Sequence, residues 1–63
     1  MWNLTGQHVT GIWHGQLVRG RVEDSRVKYG GTVQHTVLLD VPIVYMAQVR
    51  HRVLLSPDQI RGR

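Results

Sequence analysis

A chain of 63 residues with a formal net charge of +4 has room for one small domain, read as residues 1–63. Its single core sits near the lower size limit for independent stability. It contains no cysteine, which excludes disulfides and any thiolate metal site. The longest apolar run, Ile43 to Ala47, is far shorter than the roughly 20 residues a membrane helix needs.

Small scaffolds without disulfides or metal are commonly completed by a partner subunit, so a homo-oligomer is expected. Met1-Trp2-Asn3-Leu4-Thr5 reads as a native start with no charged region ahead of an apolar stretch. That pattern predicts no secretory signal and a cytoplasmic chain.

Ten Val, three Ile and four Thr against a single Ala favour strand over helix. A first strand is expected over Val9–Trp13, and His14-Gly15 then reads as a turn or bulge. A second is expected over Gln16–Glu23, with Val18, Gly20 and Val22 alternating against Leu17, Arg19 and Arg21. Arg26–Tyr29 and Thr32–Leu39 read as the arms of a hairpin, because Gly30-Gly31 tolerates the positive φ of a primed turn. Val33, His35, Val37 and Leu39 share one face of the longer arm. Asp40-Val41-Pro42 is expected to end that strand, since proline cannot donate to a ladder. Val49, His51, Val53 and Leu55 share one face of a last strand. Ser56-Pro57-Asp58-Gln59 carries a cap residue and a proline at the first helical position, so it predicts a single 3-10 turn. About five short antiparallel strands without a long helix predict an all-β fold, a small closed or half-open barrel.

Val33–Leu39 and Val49–Leu55 match at five of seven positions. Two copies do not make a stacked repeat array. The match predicts either two similarly filled core strands or an approximate symmetry that sets His35 near His51.

Gly6-x-x-Val9, Trp13-x-Gly15-Gln16-Leu17-Val18 and Val53-Leu54-Leu55 followed by Ser56-Pro57-Asp58-Gln59-Ile60 resemble an SH3-like barrel. In particular they resemble the plasmid-borne type II dihydrofolate reductases, very small SH3-like chains that work as homotetramers. The resemblance covers about half the chain in short pieces and implies the fold and a tendency to oligomerise. It does not extend to the activity. Where that family carries Val-Gln-Ile-Tyr, this chain has Val53-Leu54-Leu55-Ser56, and no lysine precedes Trp13.

Seven of the eight cations are arginine: Arg19, Arg21, Arg26, Arg50, Arg52, Arg61 and Arg63, with Lys28. Arg19/Arg21 and Arg50/Arg52 lie at i, i+2, so each pair is expected to leave one strand face. Guanidinium forks match phosphate oxygens, and Arg61-Gly62-Arg63 reads as a flexible basic end. The expected function is non-catalytic binding of a nucleic-acid backbone with little sequence specificity, of the sort found on plasmids or phages. All eight cations are candidate contacts. The alternative is a protein-interaction module using an SH3-like groove or a strand edge. A third reading is a reductase-like enzyme with a pore shared between subunits. Trp13 reads as core or subunit interface, and Tyr29 as exposed.

His8, His14, His35 and His51 lack metal-ligand spacing, so no metal is expected. Protonation of His35 and His51 near pH 6 is expected to weaken an interface they help form. Glu23, Asp24, Asp40 and Asp58 suggest no converging acid–base pair, and no glycine-rich loop with a following lysine cradles a phosphate. No catalytic residue and no cofactor is therefore assigned.

Overall fold

Residues 2–62 are described by a computed structural model. In chain order it runs β1 (His8–Trp13), β2 (Gln16–Val27), β3 (Val33–Tyr45), β4 (Gln48–Leu55), a 3-10 turn over Pro57–Gln59, and β5 (Ile60–Gly62). The fold is all-β. Its five strands form one open antiparallel sheet in the order β4-β3-β2-β1-β5, so β4 and β5 are edges. Among the described residues no helix is long and apolar enough to cross a membrane.

The core lies on the inward face, where Val9, Val18, Val22, Val37, Val53 and Leu55 are nearly or fully buried. Trp13, Ile43 and Ile60 pack against its margins. The alternation expected for Val18, Gly20 and Val22 holds, with Leu17, Arg19 and Arg21 exposed. So does the inward set on β3, where His35, Val37 and Leu39 are buried. Gly20 permits the close approach of β3, because a Cβ there would meet the Leu38 carbonyl oxygen at 2.1 Å.

Three hairpin turns connect the meander. His14 and Gly15 both have positive φ, the requirement of a two-residue type I′ turn. Gly30 and Gly31 also have positive φ, but the loop is longer than the expected two residues: it runs from Lys28 to Thr32, and Gly31 N–H donates to the Lys28 carbonyl at 2.9 Å. The third turn, Met46-Ala47, has positive φ at both positions although neither residue favours it. Ser56 caps the 3-10 turn as expected, its backbone N–H donating to Gln59 Oε1 at 2.9 Å.

Four further features differ from the sequence-based expectation. The segments Gln16–Glu23 and Arg26–Tyr29 are parts of one strand, because Glu23 is a bulge residue that the β2–β3 pairing skips, between Val22↔Val37 and Asp24↔Thr36. β3 runs through Pro42, which lies in an irregular stretch between Leu38 and Ile43 where no β4 partner is registered. A missing N–H costs no ladder bond at such a place. The uniform face expected for β4 is broken at the same irregularity: Val53 and Leu55 are buried, whereas His51 and Val49 are exposed. Finally, Arg61 and Gly62 belong to β5 rather than to a flexible end, while Arg63 lies outside the described residues.

Candidate functional site

Antiparallel register places side chains in transverse rows, with neighbouring strands about 4.8 Å apart. One such row on the outer face reads His8 (β1), Arg21 (β2), Leu38 (β3), Arg52 (β4). Arg19 lies one step along β2, about 7 Å from Arg21 by strand rise, and pairs with Thr10 of β1. Thr10 in turn pairs with Gly62 of β5, and the β1–β5 register skips Arg61 as a bulge residue. Arg61 is exposed beside this pair. The sheet therefore brings Arg19, Arg21, Arg52 and Arg61 to one broad surface.

Electrostatic pairing divides that surface. Arg52 Nε donates to Glu23 Oε1, Arg26 is paired with Asp24 at 3.1 Å, and His8 Nε2 lies 2.6 Å from Asp40 Oδ2. All three pairs are exposed enough that each contributes below about 1 kcal/mol. Their main effect is to occupy carboxylates. The fourth carboxylate, Asp58, accepts from the Ser56 hydroxyl at 2.6 Å. Among the described residues Arg19, Arg21, Lys28, Arg50 and Arg61 have no carboxylate partner. The positive charge is thus concentrated on the β2–β1–β5 side of the outer face, with Lys28 apart at the β2–β3 turn and Arg50 apart on β4.

The expected pairing of Arg50 with Arg52 on one strand face is not what the register gives. Arg52 lies opposite the exposed Leu38, and Arg50 lies opposite Ile43, which packs on the core. The irregularity at His51 separates them. Arg50 is half-buried, and its Nε is fully buried with no hydrogen-bond acceptor among the described residues. Both arginines nevertheless line one cavity of about 220 Å³, together with Trp13, Val53 and Leu54. This cavity lies at the open seam, where the end of β1 meets the edge strand β4.

Trp13 is half-buried and belongs to an aromatic cluster at the seam. Its ring meets Tyr45 edge-on at 4.8 Å and His14 edge-on at 4.4 Å, and His14 stacks on Tyr45 at 4.6 Å. Tyr29 is fully exposed at its turn, as expected.

His35 and His51 do not converge on one buried face. His35 is interior, with Nδ1 2.7 Å from Ser25 Oγ, and Ser25 Oγ also accepts from Leu4 N–H at 3.1 Å. Burial pushes the His35 pKa below its ordinary value of 6.5. An interior imidazole is not available to a subunit interface, which removes the expected interface role of this histidine. Among the described residues no group of three His, Cys, Asp or Glu side chains could hold a metal ion.

The sequence analysis missed the cavity at Trp13, and it missed the separation of paired from unpaired arginines. Both depend on contacts between distant segments, such as Glu23 with Arg52. No protein-family model, no curated protein and no solved structure matches this chain.

Proposed function

We propose that this chain is a small non-catalytic protein that binds the phosphate backbone of nucleic acid on the outer face of a half-open, SH3-like barrel. The observation that carries this reading is the set Arg19, Arg21 and Arg61: exposed, on neighbouring strands, and without carboxylate partners among the described residues. Guanidinium forks suit phosphate oxygens, and an uncompensated positive face attracts polyanions. The reading includes little base specificity, because the contacts it invokes go to phosphate oxygens rather than to base edges. The SH3-like assignment is supported by the four-strand meander β1–β4, by the return of β5 to pair with β1, and by the 3-10 turn between β4 and β5.

The test is fluorescence anisotropy with duplex and single-stranded DNA over a range of salt. Three phosphate contacts give a log–log slope of about −2.7 on duplex. In Arg19→Ala/Arg21→Ala the slope shrinks toward about −0.9. Absence of binding at low salt refutes the reading and favours the second one, a protein-interaction module. That alternative is supported by the edge position of β4 and by exposed Val44, Met46 and Val49 at the β3–β4 hairpin. There a partner strand or a second copy would add to the sheet.

A further inference from the structure

The cavity at the seam is a second feature, distinct from the phosphate-facing rows. Trp13 supplies an aromatic wall, Val53 and Leu54 supply apolar sides, and Arg50 supplies positive charge beside Arg52, which is already paired with Glu23. Arg50 Nε is buried and unpaired, and leaving such a donor unsatisfied is unfavourable. Nε itself is closed to solvent, so a ligand at the cavity meets Arg50 through its terminal guanidinium nitrogens. The ligand is therefore an anion with a flat apolar part. At about 220 Å³ the cavity is below the usual range for drug-sized ligands, so it accommodates one ring system rather than two.

The surroundings select among such anions. Arg52 at the cavity also belongs to the transverse row through Leu38 to Arg21, about 10 Å away across two strand spacings. A ligand that carries further negative charges along its length meets that row. A single carboxylate does not.

We infer that the Trp13–Arg50–Leu54 cavity is a nucleotide subsite that takes one unstacked nucleobase, with its phosphate held by Arg50. The strand's path onward to Arg21 rests on the outer-face reading above, whereas the subsite itself does not. The protein then prefers single strands to duplex, because a paired base cannot leave its stack without cost. Base–aromatic contact is sequence-tolerant, consistent with low specificity.

The experiment uses the full chain carrying Trp2→Phe. Trp2 is exposed and outside the cavity, so this leaves Trp13 as the only tryptophan. The probes are a thymidine homo-oligonucleotide, the same strand with abasic sugars, a mixed-sequence duplex, thymidine 5′-monophosphate and an oligo-glutamate peptide. Anisotropy reports binding, and Trp13 emission reports occupancy of the cavity. The expected result is that all three nucleic acids bind, and only the base-bearing single strand and the mononucleotide quench Trp13. Leu54→Glu places a carboxylate at the half-exposed cavity wall and is expected to lower single-strand affinity at least tenfold, with duplex affinity changed less than twofold. Arg50→Gln gives the same direction by a change that removes charge but keeps a donor.

The failures separate. Strand binding with unchanged Trp13 emission overturns the subsite and leaves backbone binding standing. Quenching by the mononucleotide with no binding of any strand overturns the outer-face reading and leaves a free-nucleotide site. Quenching by oligo-glutamate but by no nucleotide overturns the nucleotide assignment in favour of an acidic peptide. No response to any probe removes both proposals.

Discussion

Gly20→Ala tests the architecture at its tightest point. Gly20 is a buried residue of the central strand β2, opposite Val9 of β1 and Leu39 of β3. An added Cβ would lie 2.1 Å from the Leu38 carbonyl oxygen and 2.8 Å from both the Leu38 carbonyl carbon and Leu39 Cα. These are backbone atoms, so no rotamer change clears them. Restoring ordinary contact near 3.4 Å moves β3 outward by about 1.3 Å, which is enough to break the local ladder bonds. Overpacking typically costs about 1–3 kcal/mol, and a backbone clash belongs at the upper end or beyond. A chain of this size has roughly 3–9 kcal/mol in total. A loss of about 3 kcal/mol lowers Tm by roughly 12–24 °C in so small a domain. Thermal melts followed by far-UV circular dichroism read this directly. Gly62→Ala is the control: its Cβ meets nothing within 4 Å, and a shift within about 0.5 kcal/mol is expected. A Gly20→Ala Tm within about 2 °C of the parent, on the same scale, refutes the β2–β3 approach. With it falls the register that sets Arg21 beside Leu38.

Three further outcomes follow from the core and the turns. Leu55→Ala removes a fully buried side chain and should cost about 2–5 kcal/mol by urea unfolding, whereas Leu54→Ala, on the exposed side of the same strand, should cost far less. Burial lowers the His35 pKa in the fold, so the unfolded chain binds its proton first as pH falls through the ordinary value of 6.5. Stability should therefore be level above about pH 7 and decline below about 6.5 until the lower folded pKa is reached; urea midpoints that stay constant from about pH 7 to 5 contradict this. Met46→Asn/Ala47→Gly places Asn-Gly at two positive-φ positions, relieving left-handed strain, and should raise Tm by roughly 4–8 °C if about 1 kcal/mol is recovered.

Much of the sheet was legible in local pattern. Period-two alternation identified the inward faces of Gln16–Val22 and Val33–Leu39, and glycine marked two of the three hairpin turns. The Ser-Pro-Asp-Gln signal located the 3-10 turn. What escaped are the places where pairing skips residues. Glu23 and Arg61 are bulge residues, and β3 runs past β4 irregularly between Leu38 and Ile43. A bulge is defined by the partner strand, so one strand's own sequence does not reveal it. Met46-Ala47 carries none of the usual turn residues, and its geometry is imposed by the strands on either side. The arginine set was legible as composition but not as a site. Which arginine is paired depends on a carboxylate as far as 29 positions away.

The bulge at Glu23 links fold to charge. Skipping this residue leaves Asp24 level with Thr36 and turns Ser25 inward to meet His35. Glu23 and Asp24 both remain available at the surface, where they take Arg52 and Arg26. One inserted residue thereby satisfies a buried imidazole and neutralises one end of the outer face, while Arg19, Arg21 and Arg61 have no carboxylate partner among the described residues at the other. Glu23→Gln tests this division. It removes the carboxylate from Arg52 and costs below about 1 kcal/mol of stability, because the pair is exposed. The released guanidinium adds one phosphate contact, so the salt slope on duplex steepens by about 0.9 and affinity at low salt rises. Arg52→Ala has no such contact to add and leaves the slope at the parent value. If Glu23→Gln leaves both slope and affinity unchanged, Arg52 lies outside the footprint, and the polyanion's path is confined to β2, β1 and β5.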